Sequence, residues 1–435
     1  MKRTNLILFA MAATVLGWGE VRADGAESAD TLSLSAARAL ALKMHPSITS
    51  AELRALAAKE ATTEVRAGFF PFISANATAV GTGETVTRLA SGTLSNSQIY
   101  DHVGVGATVS QLITDFGKTA NLTAAAKLRA RAADSNVAVV RAQLLLEVDS
   151  TYFAALEARA VKAVAAKTLA NRQQLFEQIS ALAQNQLKSE LDIRFAQVGV
   201  SEARLLVAKA DDDWQSALAT LASLLGQRTK VTAELLETPA PMDDLPADAE
   251  PLTDLALRQR PELTRQRSER DAAQDVATAA KDARLPSISA TGSAGVVPIR
   301  NVHFDHDYAA ADVNVNLPLF AGGLYRAKQR EAELQAGDVD AALREAENEV
   351  IRDVRLAWLE AGHARERIAL TTSLLENSNS VLELAHARFK QGLSSIVELN
   401  QAELSQVSAE IAHTNAEYDY RIRRDILDYQ TGSLR

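Results

Sequence analysis

The sequence predicts a mainly α-helical chain with a β portion, built from one unit used twice: a helix, a strand pair and a long coiled-coil hairpin. Three observations carry this reading. The first is an internal repeat. Leu40-Ala41-Leu42-Lys43-Met44-His45-Pro46 matches Leu255-Ala256-Leu257-Arg258-Gln259-Arg260-Pro261 at an offset of 215, which also aligns Pro71 with Pro286 and Ile73 with Ile288; from Gly117 onward the offset is 206, aligning Gly117 with Gly323, Leu187 with Leu393 and Gly226 with Gly432. The second is a change of hydrophobic period inside each copy. The third is the stretch Arg388 to Asn400, where Gly392 separates two long runs free of proline and Ser394-Ser395 opens the second, the signature of a C-cap, a turn and an N-cap. At 435 residues the length suggests two or three domains, but the repeat argues for one duplicated unit.

Residues 1–23 read as a secretory signal peptide. Lys2 and Arg3 precede an apolar run from Leu6 to Leu16, too short to span a bilayer, and Val21-Arg22-Ala23 supplies small residues for cleavage. Removing Lys2, Arg3, Arg22 and Glu20, a net of +2, takes the formal charge from −9 to −11, which disfavours a nucleic-acid partner. With no cysteine, disulfides, thiolate metal sites and lipid attachment are excluded. No later stretch is long and apolar enough for a transmembrane helix, so any insertion into a bilayer must use strands.

The first copy spans 24–237. Residues 33–68 suit one helix that stops before Pro71, because the residue before proline disfavours the helical region. Strands are expected over about 71–86 and 99–114, where Val103-Gly104-Val105-Gly106-Ala107-Thr108-Val109-Ser110 alternates apolar with small or polar residues. The change of offset places nine extra residues between about Gly81 and Ser110, expected to form a loop. A hairpin follows over about 117–226. Residues 238–253, with Pro239, Pro241, Pro246 and Pro251 among acidic residues, read as a linker or irregular belt that is not buried.

The second copy, 254–435, repeats the order: a helix over 252–283 reaching back into the linker, strands about 286–299 and 307–320, and a hairpin about 323–432. Ala311-Asp312-Val313-Asn314-Val315-Asn316 has one apolar and one wet face; in a bilayer the first would meet lipid and Asp312, Asn314 and Asn316 would face water. Val354, Ala361, Ile368, Leu375, Leu382 and Phe389 form a strict seven-residue series, kept in the first copy by Val148, Ala155, Leu169, Phe176 and Ala183 and broken at Lys162. Val397, Leu404, Ile411 and Tyr418 are expected to carry a second heptad back from the turn.

Catalytic chemistry is not expected. There is no nucleophile elbow, phosphate loop or zinc motif, and no cofactor is implied. His303-Phe304-Asp305-His306-Asp307 falls in a strand connection, where a polar surface loop is the plainer reading, and Asp211-Asp212-Asp213 reads as a wet helix face.

Phe70-Pro71-Phe72 and Leu285-Pro286-Ser287 before the strands, Asn316-Leu317-Pro318-Leu319-Phe320-Ala321-Gly322-Gly323 after them, and Arg388-Phe389-Lys390-Gln391-Gly392 at the tip resemble the TolC family over essentially the whole mature chain. Four strands cannot close a barrel, and an open edge is not tolerated in lipid. The resemblance implies a homotrimer whose twelve strands form one outer-membrane barrel, continued by an α-helical tunnel into the periplasm. It implies a passive channel in a tripartite efflux pump or type I secretion system, fed by a periplasmic adaptor and an inner-membrane pump or ABC transporter. It also implies adaptor-docking tips at Leu187, Ser189, Gly392, Leu393 and Ser395, and an entrance gate at Asp192, Glu398 and Gln401. The chain departs from the family pattern at Gln401, where an acidic residue is expected, at Ser394, where a basic one is, and at Gln186, where glycine is usual. The alternative is a periplasmic coiled-coil adaptor or scaffold, which needs the hairpins but no lipid-facing strands.

Overall fold

The computed structural model describes residues 31–81, 87–90, 96–99, 101–237, 245–300 and 305–434. The leader, residues 238–244 of the proline-rich segment, His303 and Phe304 lie outside these. The first copy runs β1 (Thr31–Leu32), α1 (Leu34–Met44), α2 (Pro46–Arg66), a short 3-10 turn, β2 (Phe72–Val80), β3 (Thr87–Ala90), β4 (Asn96–Ile99), β5 (His102–Thr114), α3 (Lys118–Gln184), α4 (Glu190–Leu224) and β6 (Glu234–Leu235). The second runs α5 (Glu250–Gln259), α6 (Pro261–Asp282), β7 (Ser287–Arg300), β8 (Asp307–Asn316), α7 (Leu324–Lys390) and α8 (Ile396–Thr431). The duplication is metrically close: α3 and α7 have 67 residues each, and α4 and α8 have 35 and 36. At about 1.5 Å per residue each long helix runs about 100 Å.

Several elements differ from expectation for identifiable reasons. The helix expected over 33–68 is two helices, because Pro46 has no N–H to continue the first; it starts the second, while His45 turns extended and its ring accepts from Ser47 N–H. Arg260 and Pro261 repeat the break between α5 and α6. The first strand ends at Val80, and the extra residues contain the β3–β4 hairpin, not only a loop. The end of the proline-rich segment is the first turn of α5, with Ala249 and Thr253 buried, so that part is not a solvent-exposed linker.

The heptad on α7 is the buried seam: Val354, Ala361 and Phe389 are buried, as are the small residues Ala357, Ala364, Ser378 and Ala385 beside them. On α8 the expected series holds only at its upper end: Tyr418 is buried and Ile411 half-buried, whereas near the tip Val397 and Leu404 point outward and Ile396, Leu399, Ala402 and Ala409 form the inner face. Lys162, the break in the α3 series, forms an ion pair across the hairpin with Asp211, so the acidic run is not wholly a solvated face.

The largest core lies midway along the long helices. Ala37, Ala41 and Ile48 pack against Val148, Tyr152 and Leu156 of α3, Leu221 and Leu225 of α4, and Leu235. The Tyr152 hydroxyl sits 2.7 Å from the carbonyl oxygens of both Leu32 and Leu236, pinning the parallel β1–β6 ribbon to α3. Each hairpin is closed by its own pair, α3 with α4 and α7 with α8, and α3 also packs on α8. The four helices therefore stand in the order α4, α3, α8, α7, leaving α4 and α7 as open edges.

Candidate functional site

The four-stranded antiparallel sheet has the order β2-β5-β7-β8, and its register sorts the side chains cleanly. One face carries rows such as Ile73, Val109, Gly292 and Ala311, then Ala75, Ala107, Ala294 and Ala309, with Val105, Val296, Val313 and Val315 nearby. The other carries Ser74, Thr108, Ser293 and Ala310, then Ser110, Thr291 and Asp312, with Asn76, Asn314 and Asn316. Among the described residues no long helix packs substantially on either face, and Ile73, Val105, Val109, Val296, Val313 and Val315 are exposed.

A strand face of this kind, apolar and uncovered, is stable against lipid and not against water. Ten residues of β8 at about 3.3 Å each, tilted about 40°, rise about 25 Å, the height of an outer-membrane apolar band. Phe69, Phe70, Phe116 and Phe320 lie exposed where the strands meet the helices, as an interfacial aromatic girdle requires. On the polar face Tyr308 lies over Gly106 and Gly295, where a Cβ at either position would clash with its hydroxyl. These two glycines leave room for the ring to lie flat on the wall.

The two helical tips form the opposite end. Gly392 takes φ +72°, and Leu393 N–H returns to the Arg388 carbonyl at 2.9 Å. Gln186 adopts the same left-handed conformation, φ +61°, and Leu187 N–H reaches the Leu182 carbonyl at 3.0 Å. The fold thus holds the turn even where glycine is missing, at a cost of about 1 kcal/mol. Leu187 and Leu393 are 69% and 64% exposed at the extremities.

Ser189 and Ser395 are the N-caps of α4 and α8, accepting from Asp192 and Glu398 N–H. Asp192 completes a capping box, accepting from Ser189 N–H at 2.9 Å and its hydroxyl at 2.8 Å. Partial burial pushes this carboxyl up, but the bonds from Ser189 outweigh it and hold it below the usual carboxylate range. Glu398 is instead paired to Arg388, 3.2 Å away on α7, and Gln401 is exposed. Lys188 of the first tip sits 4.1 Å from the centre of the Phe389 ring, joining one tip to the other hairpin.

Above the tips lies a polar layer that the heptad reading missed. Arg172 is 5% exposed, and its Nη1 is 2.6 Å from Glu403 Oε2 and donates to Asn400 Oδ1 at 2.6 Å. The hydrogen bond goes to Asn400, so Glu403, 7% exposed, is held by charge. Burial pushes the Glu403 carboxyl up, against the pull of Arg172 and of His386, whose Nε2 is 3.7 Å away. Gly199 of α4 makes the room, since a Cβ there would meet Arg172 Nη1 at 3.1 Å. The signal was present: Arg172 stands at the seven-residue step between buried Ala165 and Ile179, and Gly199 interrupts a helix interior. A cavity of ≈ 330 Å³ opens beside this layer, lined by Lys167, His386, Lys390 and Glu410 among others. Among the described residues no cluster could hold a metal ion, and no helix is long and apolar enough to cross a membrane.

A family model described as Outer membrane efflux protein matches residues 37–227 and 252–433, nearly all of both copies. The chain belongs to the outer membrane efflux protein family. It is 25% identical over 389 residues to outer membrane protein TolC of Vibrio cholerae, covering 86% of this chain and 85% of that one. It is 27% identical over 323 residues to outer membrane protein OprJ of Pseudomonas aeruginosa, covering 73% and 67%. In three dimensions it resembles the outer-membrane channel OprN, with TM-score 0.81, 20% identity and coverage of 92% and 90%. The open state of the MtrE outer membrane channel of Neisseria gonorrhoeae gives TM-score 0.76 at 23% identity, covering 92% and 89%. The protein is an efflux channel of the outer membrane, from a family of channels and not of enzymes.

Proposed function

We propose that three copies of this channel close head to tail into one duct, a twelve-stranded barrel continued by a twelve-helix tunnel, which receives cargo from a periplasmic adaptor and an inner-membrane pump or ABC transporter. The observation that carries this is the uncovered apolar sheet with open edges at β2 and β8. In lipid an open edge leaves backbone N–H and C=O groups unpaired at several kcal/mol each, so β8 of one copy must pair with β2 of the next. The helices carry the same asymmetry. Leu191, Val198 and Leu205 form an exposed seven-residue stripe on α4, and Leu370, Leu374, Val381 and Leu384 form one on α7, the two open edges.

The repeat supplies a second argument. Helix α6 packs on both α7 and α3, whereas its counterpart α2 packs on α3 and leaves Leu53 and Leu56 exposed, with Met44 exposed at the end of α1. The equivalent neighbour for that face is α7 of another copy. Such heterologous contacts generate a ring when the rotation closes. Two copies would give eight strands, a barrel just wide enough for side chains to fill, whereas the short Ser, Thr, Asn and Gly wall here suits a wider, wet bore.

At the far end, the exposed Leu187 and Leu393 with the caps Ser189 and Ser395 and the bend at Gly392 form the adaptor-docking tips. Glu398 lies one turn inside, with Asp192 at the equivalent position of the first tip and Gln401 one turn further on, as the entrance. Fractionation of membranes tests this reading: the protein should float with the outer membrane and run as a detergent-resistant trimer. A soluble monomer would overturn it.

A further inference from the structure

We propose that the helices carry a basic collar where they meet the sheet, and that this collar binds the anionic headgroups of the phospholipid leaflet around it. This rests on the reading of the uncovered sheet as the part in lipid. The pairing brings the start of β2, the end of β5, the start of β7 and the end of β8 to one end of the sheet: Phe72 lies opposite Ser110, Thr114 opposite Ile288 and Ser287 opposite Asn316. Helices α2, α3, α6 and α7 all join the sheet at that end. Arg66 ends α2, Lys118 begins α3, Lys281 and Arg284 flank the end of α6, and Arg326 and Lys328 stand in the first two turns of α7. At about 1.5 Å per residue, none lies more than about 6 Å along its helix from the sheet-side end.

The charge there is one-sided. Over 66–71, 115–120, 281–286 and 317–328 these six cations stand against two carboxylates, Asp115 and Asp282, in a chain whose formal charge is −9. Both carboxylates are engaged locally, Asp115 accepting from Thr119 N–H at 2.9 Å and Asp282 from Asn121 Nδ2 at 2.8 Å. All six cations are exposed, and among the described residues none of them makes an ion pair. Further down the helices cations are commonly paired, as Arg141 is with Glu52, Arg367 with Asp419 and Arg423 with Glu360. At the other end of the sheet the balance reverses, with Asp101, Asp305 and Asp307 beside Arg300 among the described residues.

The collar adjoins the exposed Phe69, Phe70, Phe116 and Phe320, and the Arg66 guanidinium sits 5.7 Å from the centre of the Phe70 ring. An aromatic ring at the membrane interface with a guanidinium over it sets that charge at headgroup depth. Beside an anionic leaflet each Lys or Arg near the surface strengthens association about five-fold, and the effect fades over about one Debye length, about 8–10 Å. Six unpaired cations gathered within that depth are what this attraction requires, since a cation already neutralised by a carboxylate adds little. Continuity with the apolar sheet face gives the partner its place: the same lipids whose chains cover Ile73, Val109 and Val313 present their headgroups here.

The full-length protein, reconstituted in phosphatidylcholine vesicles, is probed with trace spin-labelled phosphatidylglycerol or spin-labelled phosphatidylcholine. Electron spin resonance reads the fraction of each lipid held at the protein surface. The expected result is a several-fold preference for phosphatidylglycerol that vanishes at about 1 M KCl, where the Debye length is about 3 Å, and vanishes in K118Q/R284Q/R326Q/K328Q. The control K43Q/R54Q/R258Q/R355Q removes four exposed cations of α1, α2, α5 and α7 away from the sheet and should keep the preference. No preference in the natural protein, or one that survives the collar variant or is lost equally in the control, overturns the proposal. A collar variant that shifts the reversal potential in planar bilayers while lipid preference persists places these cations in the bore and overturns it too. Absence of surface-held lipid of either kind overturns the lipid-facing sheet itself.

Discussion

Ala310 and Ala311 are adjacent alanines in the middle of β8, and the register puts them on opposite faces: Ala310 beside Ser293 on the polar wall, Ala311 beside Gly292 on the apolar one. Replacing each with arginine applies one chemical change to two environments. Ala311→Arg places a guanidinium against hydrocarbon near mid-height of the sheet, where an outward charge costs about 2–4 kcal/mol per chain. That corresponds to roughly a 30- to 700-fold loss in the folding equilibrium constant, at about 1.4 kcal/mol for each factor of ten. Ala310→Arg projects into the aqueous bore, where the side chain stays hydrated and the expected change is within about 0.5 kcal/mol. Urea unfolding in lipid vesicles measures both, with the heat stability of the assembled complex as a second readout. Equal destabilisation of the two variants, or a greater loss for Ala310→Arg, would refute the assignment of the lipid face.

The tips give a pair of opposed substitutions: Gln186→Gly should stabilise by about 1 kcal/mol and Gly392→Ala should destabilise by about as much, both read as shifts in melting temperature. Neutralising Glu398 with Gln should lower cation preference in bilayer reversal potentials, while Asp192→Asn, which breaks a capping box, should mainly lower hairpin stability by about 1 kcal/mol; an unchanged reversal potential for E398Q removes Glu398 from the entrance. Burial, and then the charge of Asp149, push Asp425 on α8 up to about 7 from 3.8, with Arg38 and Arg424 opposing and Asp428 adding to the rise. A carboxyl raised in the folded state contributes stability below about pH 4 and loses it as pH rises through about 7, an upper bound of about 4 kcal/mol. Asp425→Asn should therefore gain on the natural protein in melting temperature between pH 5 and pH 8; a difference that stays flat with pH would show that Asp425 does not titrate there.

The duplicated order of helix, strands and hairpin was legible because it rests on periodicities that tertiary context does not overwrite. Val354, Ala361 and Phe389 keep their phase because small residues beside them fix one face of α7. On α8 the adjacent Ile396 and Val397 both offer an apolar residue to the seam, and the choice is made by α3. Glu403 on the correct phase made that stripe look interrupted, although Arg172 across the seam is what keeps it buried. Arg172 and Glu403 come from different copies of the repeat, so neither helix alone announces the pair. The breaks at Pro46 and Pro261 were readable from the same proline rule applied at Pro71 and Pro286, but the Ala- and Leu-rich flanks masked them. At the tips, the sequence pointed to Asp192 and Glu398 as equivalent carboxylates. Geometry separates them, since one closes a capping box and the other pairs with Arg388.

In the proposed duct one chain supplies a third of the closed wall. The mass of the protein extracted from outer membranes in mild detergent, by native mass spectrometry, tests it most directly. Three copies with no free monomer is the expected result; a monomer, or a dimer of eight strands, would contradict the account.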